Sequence, residues 1–228
     1  MILEGIISAF KLILGLDRYL LEVIFLTLLI SSVSTLFSLM VGIFICFFLF
    51  FYDFPFKKIF LSLVNLGMGV PPVIIGLFIV ILFWRGGLLG DFEILYTPYA
   101  MIIAQFLIAC PMVVGLAYSS LKSFPEEYKL QLYALGASKL DIIKVIMKEK
   151  RVLFVSTIVA AFGSVISEVG ASLMVGGNIK GYTRVLTTSI VLETSMGSFD
   201  RAIALSIILL IIAFIINYFL TRVQEKMR

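Results

Sequence analysis

Glu168 is the one ionisable side chain inside the fourth long apolar run, in the stretch Ser164-Val165-Ile166-Ser167-Glu168-Val169-Gly170-Ala171-Ser172. A carboxylate at membrane depth is costly unless it is paired or turned toward water, which makes Glu168 a candidate functional group. Ser164, Ser167, Ser172, Asn178, Thr183 and Arg184 lie around and after it. They are hydrogen-bonding groups with one fixed cation. The rest of the composition narrows what such groups can do. There is no histidine, so the commonest general base and metal ligand is missing. Cys46 and Cys110 sit in apolar runs, form no CxxC pair and read as packing residues. The pattern G-x-x-x-x-G-K-[ST] is absent, so the chain has no P-loop for nucleotide phosphates.

A second polar stretch, Ser123–Arg151, interrupts the apolar runs. Seven of the eighteen Lys and Arg residues fall between Lys122 and Arg151. Ser123-Phe124-Pro125-Glu126 has the form of a capping box that opens a helix to about Leu135. Gly136 then supplies a left-handed cap. Ser138-Lys139-Leu140-Asp141 has the form of a second capping box, opening a helix to about Lys148. Leu130, Tyr133 and Ala134 share one face, as do Ile142, Ile143, Val145 and Ile146. The expected product is two short helices at a glycine elbow, either a docking knob or a cap on the bundle.

These groups need a scaffold, and the composition says which. Of 228 residues 61% are hydrophobic, and the mean hydropathy is +1.15. A soluble domain would be near 45–50% apolar, and here the apolar residues come in unbroken runs. The expected fold is an all-α membrane protein of one domain. Five transmembrane helices are expected at about 24–51, 59–84, 96–121, 152–175 and 202–220. An amphipathic interfacial helix over 1–19 precedes them, and a basic tail over 222–228 follows. The first run is read as no signal peptide, since Glu4 precedes any positive charge. Pro71 and Pro72 interrupt the second run, and a broken helix is tolerated only where protein or a cavity covers it. The break is either a hinge or pathway wall, or a structural kink. Pro111 should bend the third span. A short helix is expected over 183–194. Lys57–Lys58, Lys122–Arg151 and Arg222–Arg228 follow spans one, three and five. All three fall on one side, which puts the insert and the C-terminus in the cytoplasm. The basic residues flank apolar runs and are not interleaved with aromatics on a solvent face, so nucleic-acid binding is not expected.

The insert resembles the coupling-loop motif of ABC importer permeases, E-A-A-x-x-x-G followed after nine residues by I-x-L-P. Gly136 and Ile146 match the glycine and isoleucine. Leu130, Gln131 and Leu132 stand where E-A-A is usual, and Lys148-Glu149 replaces L-P. Val70-Pro71-Pro72-Val73-Ile74-Ile75-Gly76-Leu77 is similar to the PPxxxG segment of oxyanion permeases. The runs 166–171 and 175–188 resemble the tungstate branch of the molybdate/tungstate permeases. The likeness covers about residues 20–221.

This resemblance implies a type I permease subunit, a membrane domain whose motor is a different chain. It implies a homodimer, two cytoplasmic ABC ATPase subunits carrying ATP-Mg, and an extracytoplasmic oxyanion-binding protein. No cofactor is expected on this chain. Glu126, Glu127, Tyr133, Ala134, Gly136, Ala137, Ser138 and Ile146 become the ATPase-coupling residues. Pro71, Pro72, Ser164, Ser167, Glu168, Asn178, Thr183 and Arg184 become candidates for pathway or gate. Each hydroxyl can equally serve helix packing, and Arg184 can equally be an interfacial anchor. Glu168 suits a structural or gating carboxylate, paired with a hydroxyl or a helix N-terminus. Tungstate is the expected cargo. Molybdate, sulfate, or an ion-coupled secondary transporter using Glu168 are the alternatives.

Overall fold

The computed structural model describes residues 6, 7, 15 and 18–226. The interfacial helix expected over 1–19 lies outside the described residues apart from those few. Among the described residues there are ten α-helices and one short 3-10 turn. They are α1 (Arg18–Phe51), α2 (Lys57–Gly69), α3 (Pro72–Phe83), α4 (Pro98–Lys122) and α5 (Glu126–Ala134). After these come α6 (Lys139–Glu149), α7 (Arg151–Ile166), α8 (Gly170–Gly176), α9 (Leu186–Ser195) and α10 (Phe199–Lys226).

Three helices, α1, α4 and α10, are long and apolar enough to cross a membrane, and up to five passages result if each bent pair counts as one. α1 has 34 residues, about 51 Å at 1.5 Å per residue, against a hydrocarbon core of ~30 Å. It starts at Arg18, earlier than the expected Ile24, and its surplus turns project from the apolar layer. α1 and α4 run in parallel. Ser34 meets Gln105 (Oγ to Oε1, 3.0 Å), Ser38 meets the Phe106 carbonyl, and a Cβ on Gly42 would lie 2.6 Å from Val113. The hydroxyls of Thr27, Ser34, Thr35 and Ser38 donate to the carbonyl four residues back. Their polarity is absorbed within the helix, and the small side chains allow close packing. α4 runs unbroken through Pro111, whose ring packs against Gly67 on α2.

The second apolar run breaks sharply, as the two prolines lead one to expect. α2 and α3 meet at 105° about Val70-Pro71. Pro71 and Pro72 both lack an N–H, and Val70 is forced to extended backbone (ψ 128°). The fourth run also breaks, with α7 and α8 meeting at 57° across Ser167–Val169. Both broken pairs run the length of α4 against its direction. Val64 packs near Val114 and Ile79 near Ala100 and Met101. Ala161 lies near Ala109, and Val175 near Met101. Phe154 of α7 reaches the cluster of Cys46, Leu121 and Ile146. α10 takes in most of the expected basic tail. It leaves Leu210, Phe214, Ile215 and Phe219 on an outward apolar face of the kind lipid covers.

Candidate functional sites at the two ends of the bundle

At one end, α5 and α6 form the insert. The first expected capping box is not made. Ser123 belongs to the end of α4, where its hydroxyl donates to the Ser120 carbonyl (2.7 Å) and accepts from Lys150 Nζ (3.2 Å). Pro125 takes the N-cap position, and α5 begins at Glu126. Proline in the first turn brings the chain in extended, which carries Ser123 out of reach of the α5 amides. The elbow forms as expected. Gly136 has φ +83°, Ala137 N–H donates to the Leu132 carbonyl (3.0 Å) and Gly136 N–H to Tyr133 (2.9 Å). This is the Schellman pair of bonds. The second capping box is also formed. Asp141 N–H donates to Ser138 Oγ (3.3 Å), and Ser138 N–H donates to Asp141 Oδ2 (3.1 Å). The Ser138 hydroxyl and N–H, then Lys144, hold the Asp141 carboxyl below its ordinary range.

The insert is anchored on one side and open on the other. Ile142 and Ile146 are fully buried with Phe124, Leu121, Cys46 and Phe154. Lys139 Nζ lies 4.1 Å above the Tyr52 ring, and Lys129 Nζ lies 5.1 Å from Phe50. The surplus turns of α1 therefore serve as the insert's seat. Ile146, expected in a partner contact, instead holds α6 to the bundle. Glu126 pairs with Lys129 (3.0 Å), while Glu127, Tyr133, Ala134, Gly136 and Ser138 are exposed and Ala137 half-buried. The surface also carries Leu130, Leu135 and Leu140 at 60%, 83% and 68% exposure. Large aliphatic side chains this open, on a charged insert, mark an interaction surface.

Midway along the bundle, level with the centre of α4, the two helix breaks face each other. A Cβ on Gly170 would lie 2.7 Å from Val73, and one on Gly76 would lie 2.9 Å from the Ala171 backbone, so α3 and α8 touch backbone to backbone. Pro71, Pro72 and Glu168 are thereby brought together. Glu168 is buried, and its Oε1 accepts from Ala171 N–H (2.7 Å). It caps α8 with a built-in anion, which suits the positive end of a helix. Ser167 is exposed and Ser164 half-buried; the Ser167 hydroxyl donates to the Gly163 and Ser164 carbonyls.

The segment after α8 is tied down by side chains. Thr183, fully buried, donates to the Gly176 carbonyl (2.5 Å) and accepts from Ile179 N–H (2.9 Å). Arg184 Nε and Nη2 donate to the Asn178 carbonyl, Nε also to Asn178 Oδ1 (3.2 Å), and Nη1 to the Tyr19 hydroxyl (3.3 Å). Asn178, Thr183 and Arg184 thus form one cluster. Sequence reasoning passed over the long-range threonines. Thr187 donates to the Glu168 carbonyl (2.9 Å), and Thr27 accepts from Leu186 N–H (2.9 Å). The latter bond spans 159 residues. The helix expected over 183–194 is Leu186–Ser195, set by Val185 N–H donating to Thr188 Oγ1 (3.1 Å).

A polar knob at one end of a helix bundle, with two facing helix breaks midway along it, makes the parts of a transport domain. Residues 34–228 match the family described as binding-protein-dependent transport system inner membrane component. The chain belongs to that family. It is thus a multi-pass membrane permease of an ABC importer. The tungstate uptake system permease protein TupB of Peptoclostridium acidaminophilum is 41% identical over 225 residues, 99% of each chain. The protein of that name from Campylobacter jejuni is 33% identical over 217 residues, 95% of this chain and 91% of the other. Among solved structures, a bacterial ABC transporter involved in import of the acidic polysaccharide alginate superposes with a TM-score of 0.80. It covers 97% of this chain and 82% of that one at 16% identity, a likeness of fold.

Proposed function

We propose that this permease carries an oxyanion, tungstate, across the membrane, driven by ATP hydrolysis on a separate subunit. The observation that carries the cargo is the 41% identity to a tungstate permease along 99% of both chains. Both bent pairs count as one passage each in this reading, giving five spans, with the insert and the C-terminus cytoplasmic and Asn178–Arg184 outside. Two copies of the chain enclose the pathway. Two ATPases holding ATP-Mg engage the inserts, and an external binding protein delivers the anion.

The coupling step follows from the insert's mechanics. An ATPase that closes on ATP displaces α5 and α6. Ile142 and Ile146 pass that displacement to the ends of α1, α4 and α7, which share their core. Midway along the bundle α3 and α8 lie backbone to backbone beside the two breaks, where a small change in angle separates them. Interfaces of this kind have discrete packings, so displacement becomes a switch of access. Leu130, Leu135 and Leu140 provide the contact that E-A-A residues give in the usual motif. A weak anion site suits the permease, since a tight one would trap the ion. Glu168 repels an anion and works as the cap that keeps α8 in register.

The test is uptake of labelled tungstate into vesicles holding this chain, its ATPase and its binding protein, with excess molybdate, sulfate or phosphate as competitor. Tungstate should enter and resist a tenfold excess of sulfate. Uptake blocked equally by sulfate would shift the cargo to oxyanions in general. A tagged chain that brings down no P-loop ATPase would remove the coupling reading.

A further inference from the structure

The two cations outside the insert and its flanks that the long-range hydrogen bonds leave facing one side chain are Lys180 and Arg184. Arg184 is fixed by four contacts, to the Asn178 carbonyl, Asn178 Oδ1 and the Tyr19 hydroxyl. The backbone is shaped to allow it. Gly177, Asn178 and Gly181 all sit at positive φ (67°, 52° and 74°), which curls the segment so that the Asn178 carbonyl meets a guanidinium six residues on. Lys180 Nζ stands 5.2 Å from the centroid of the same Tyr19 ring whose hydroxyl Arg184 holds. Among the described residues no carboxylate pairs with either cation; the nearest acid along α1, Glu22, is engaged by Arg18 at 3.2 Å.

The donor inventory is incomplete in a useful way. A guanidinium has five N–H groups. Nε, Nη1 and Nη2 each use one here, which leaves one on each terminal nitrogen without an acceptor among the described residues. Two terminal N–H groups on a plane held by three other bonds match two oxygens of a tetrahedral anion. Lys180 is exposed and its ammonium lies over the face of an aromatic ring, a contact weak enough at a surface for it to leave.

We propose that Arg184 and Lys180, mounted on Tyr19, form a landing site for a tetrahedral oxyanion at the outer mouth. Arg184 is the fixed element and Lys180 the arm that closes over the anion. This rests on the oxyanion-import reading, which places the segment outside. The site is partly exposed and has only two charges, so it binds weakly and releases, as a first station on a pathway must.

The test uses the whole importer in vesicles. Lys180 is labelled with an amine-acylating reagent and followed by mass spectrometry, in tungstate or in chloride at equal ionic strength. Tungstate should slow Lys180 acylation several-fold and leave Lys58 unchanged. Lys180→Gln should lower tungstate uptake at limiting loaded binding protein several-fold, and Lys180→Arg should restore it. Because Lys180 is exposed, neither variant disturbs the packing that Arg184 supports. Equal acylation in both salts, or unchanged uptake in Lys180→Gln, overturns the site while wild-type uptake keeps the import reading. A wild-type importer that takes up no oxyanion overturns both.

Discussion

The insert and the outer turn are both short polar helical segments, yet they are built in opposite ways. The insert takes its shape from its own sequence. Gly136 makes the elbow and the Ser138–Asp141 box starts α6, with every bond inside seven residues. The outer turn is curled by Gly177, Asn178 and Gly181, but it is held to the bundle from elsewhere in the chain, through Thr27 to Leu186, Thr187 to Glu168 and Arg184 to Tyr19. A part shaped locally can move as a rigid unit and transmit force. A part held by single long-range bonds can be released one bond at a time, which is what a gate requires.

The strongest way to break this contrast is at the elbow. Gly136→Pro cannot hold φ +83° and loses the N–H that bonds Tyr133. It should abolish ATPase co-purification and uptake while the chain still inserts in the membrane. Retained co-purification would show that the elbow is dispensable. Next is the seat of the insert. Ile146→Ala removes a fully buried side chain, a change that costs about 2–5 kcal/mol in a packed core. Limited proteolysis should cut near 125–148 faster, with uptake falling in proportion.

At the other end, Thr27→Val deletes the acceptor for the Leu186 N–H, at a cost of about 1–3 kcal/mol for a buried unpaired donor. Hydrogen exchange should rise in α9 and leave α5 and α6 unchanged. A rise in both would mean that the two ends are not separate units. The smallest effect concerns pH. Asp141 has its pKa lowered by Ser138 and Lys144, so the box stabilises α6 above 3.8 and loses that help as pH falls through the lower, folded-state value. Protection of the amides at the start of α6, taken against the intrinsic exchange rate at each pH, should fall at acid pH in wild type and show no such step in Asp141→Asn.

The same contrast explains what the sequence made legible. The two helices of the insert, Gly136 and the second capping box are set by neighbours in the chain, and each lies within a few residues of its expected place; the first and last apolar helices run six residues beyond theirs. Proline at 71 and 72 announced a break, but not its 105° angle, because the angle depends on α3 settling against α8 at Gly76 and Gly170. The Ser123 box failed since Pro125 pre-empted it. Thr27 and Thr187 carry no local mark that sets them apart from the chain's other hydroxyls. Nothing in their own neighbourhoods points to partners 159 and 19 residues away. Ile146 was legible as a motif residue, and only the packing shows that it faces inward.

The central claim is that ATP, acting through the insert, moves an oxyanion through this chain. The most direct measurement is tungstate uptake by the reconstituted importer with ion gradients collapsed by ionophores and ATP supplied, and again with gradients intact and ATP withheld. The account predicts full uptake in the first condition and none in the second. Uptake that survives without ATP and dies with the gradient would contradict it.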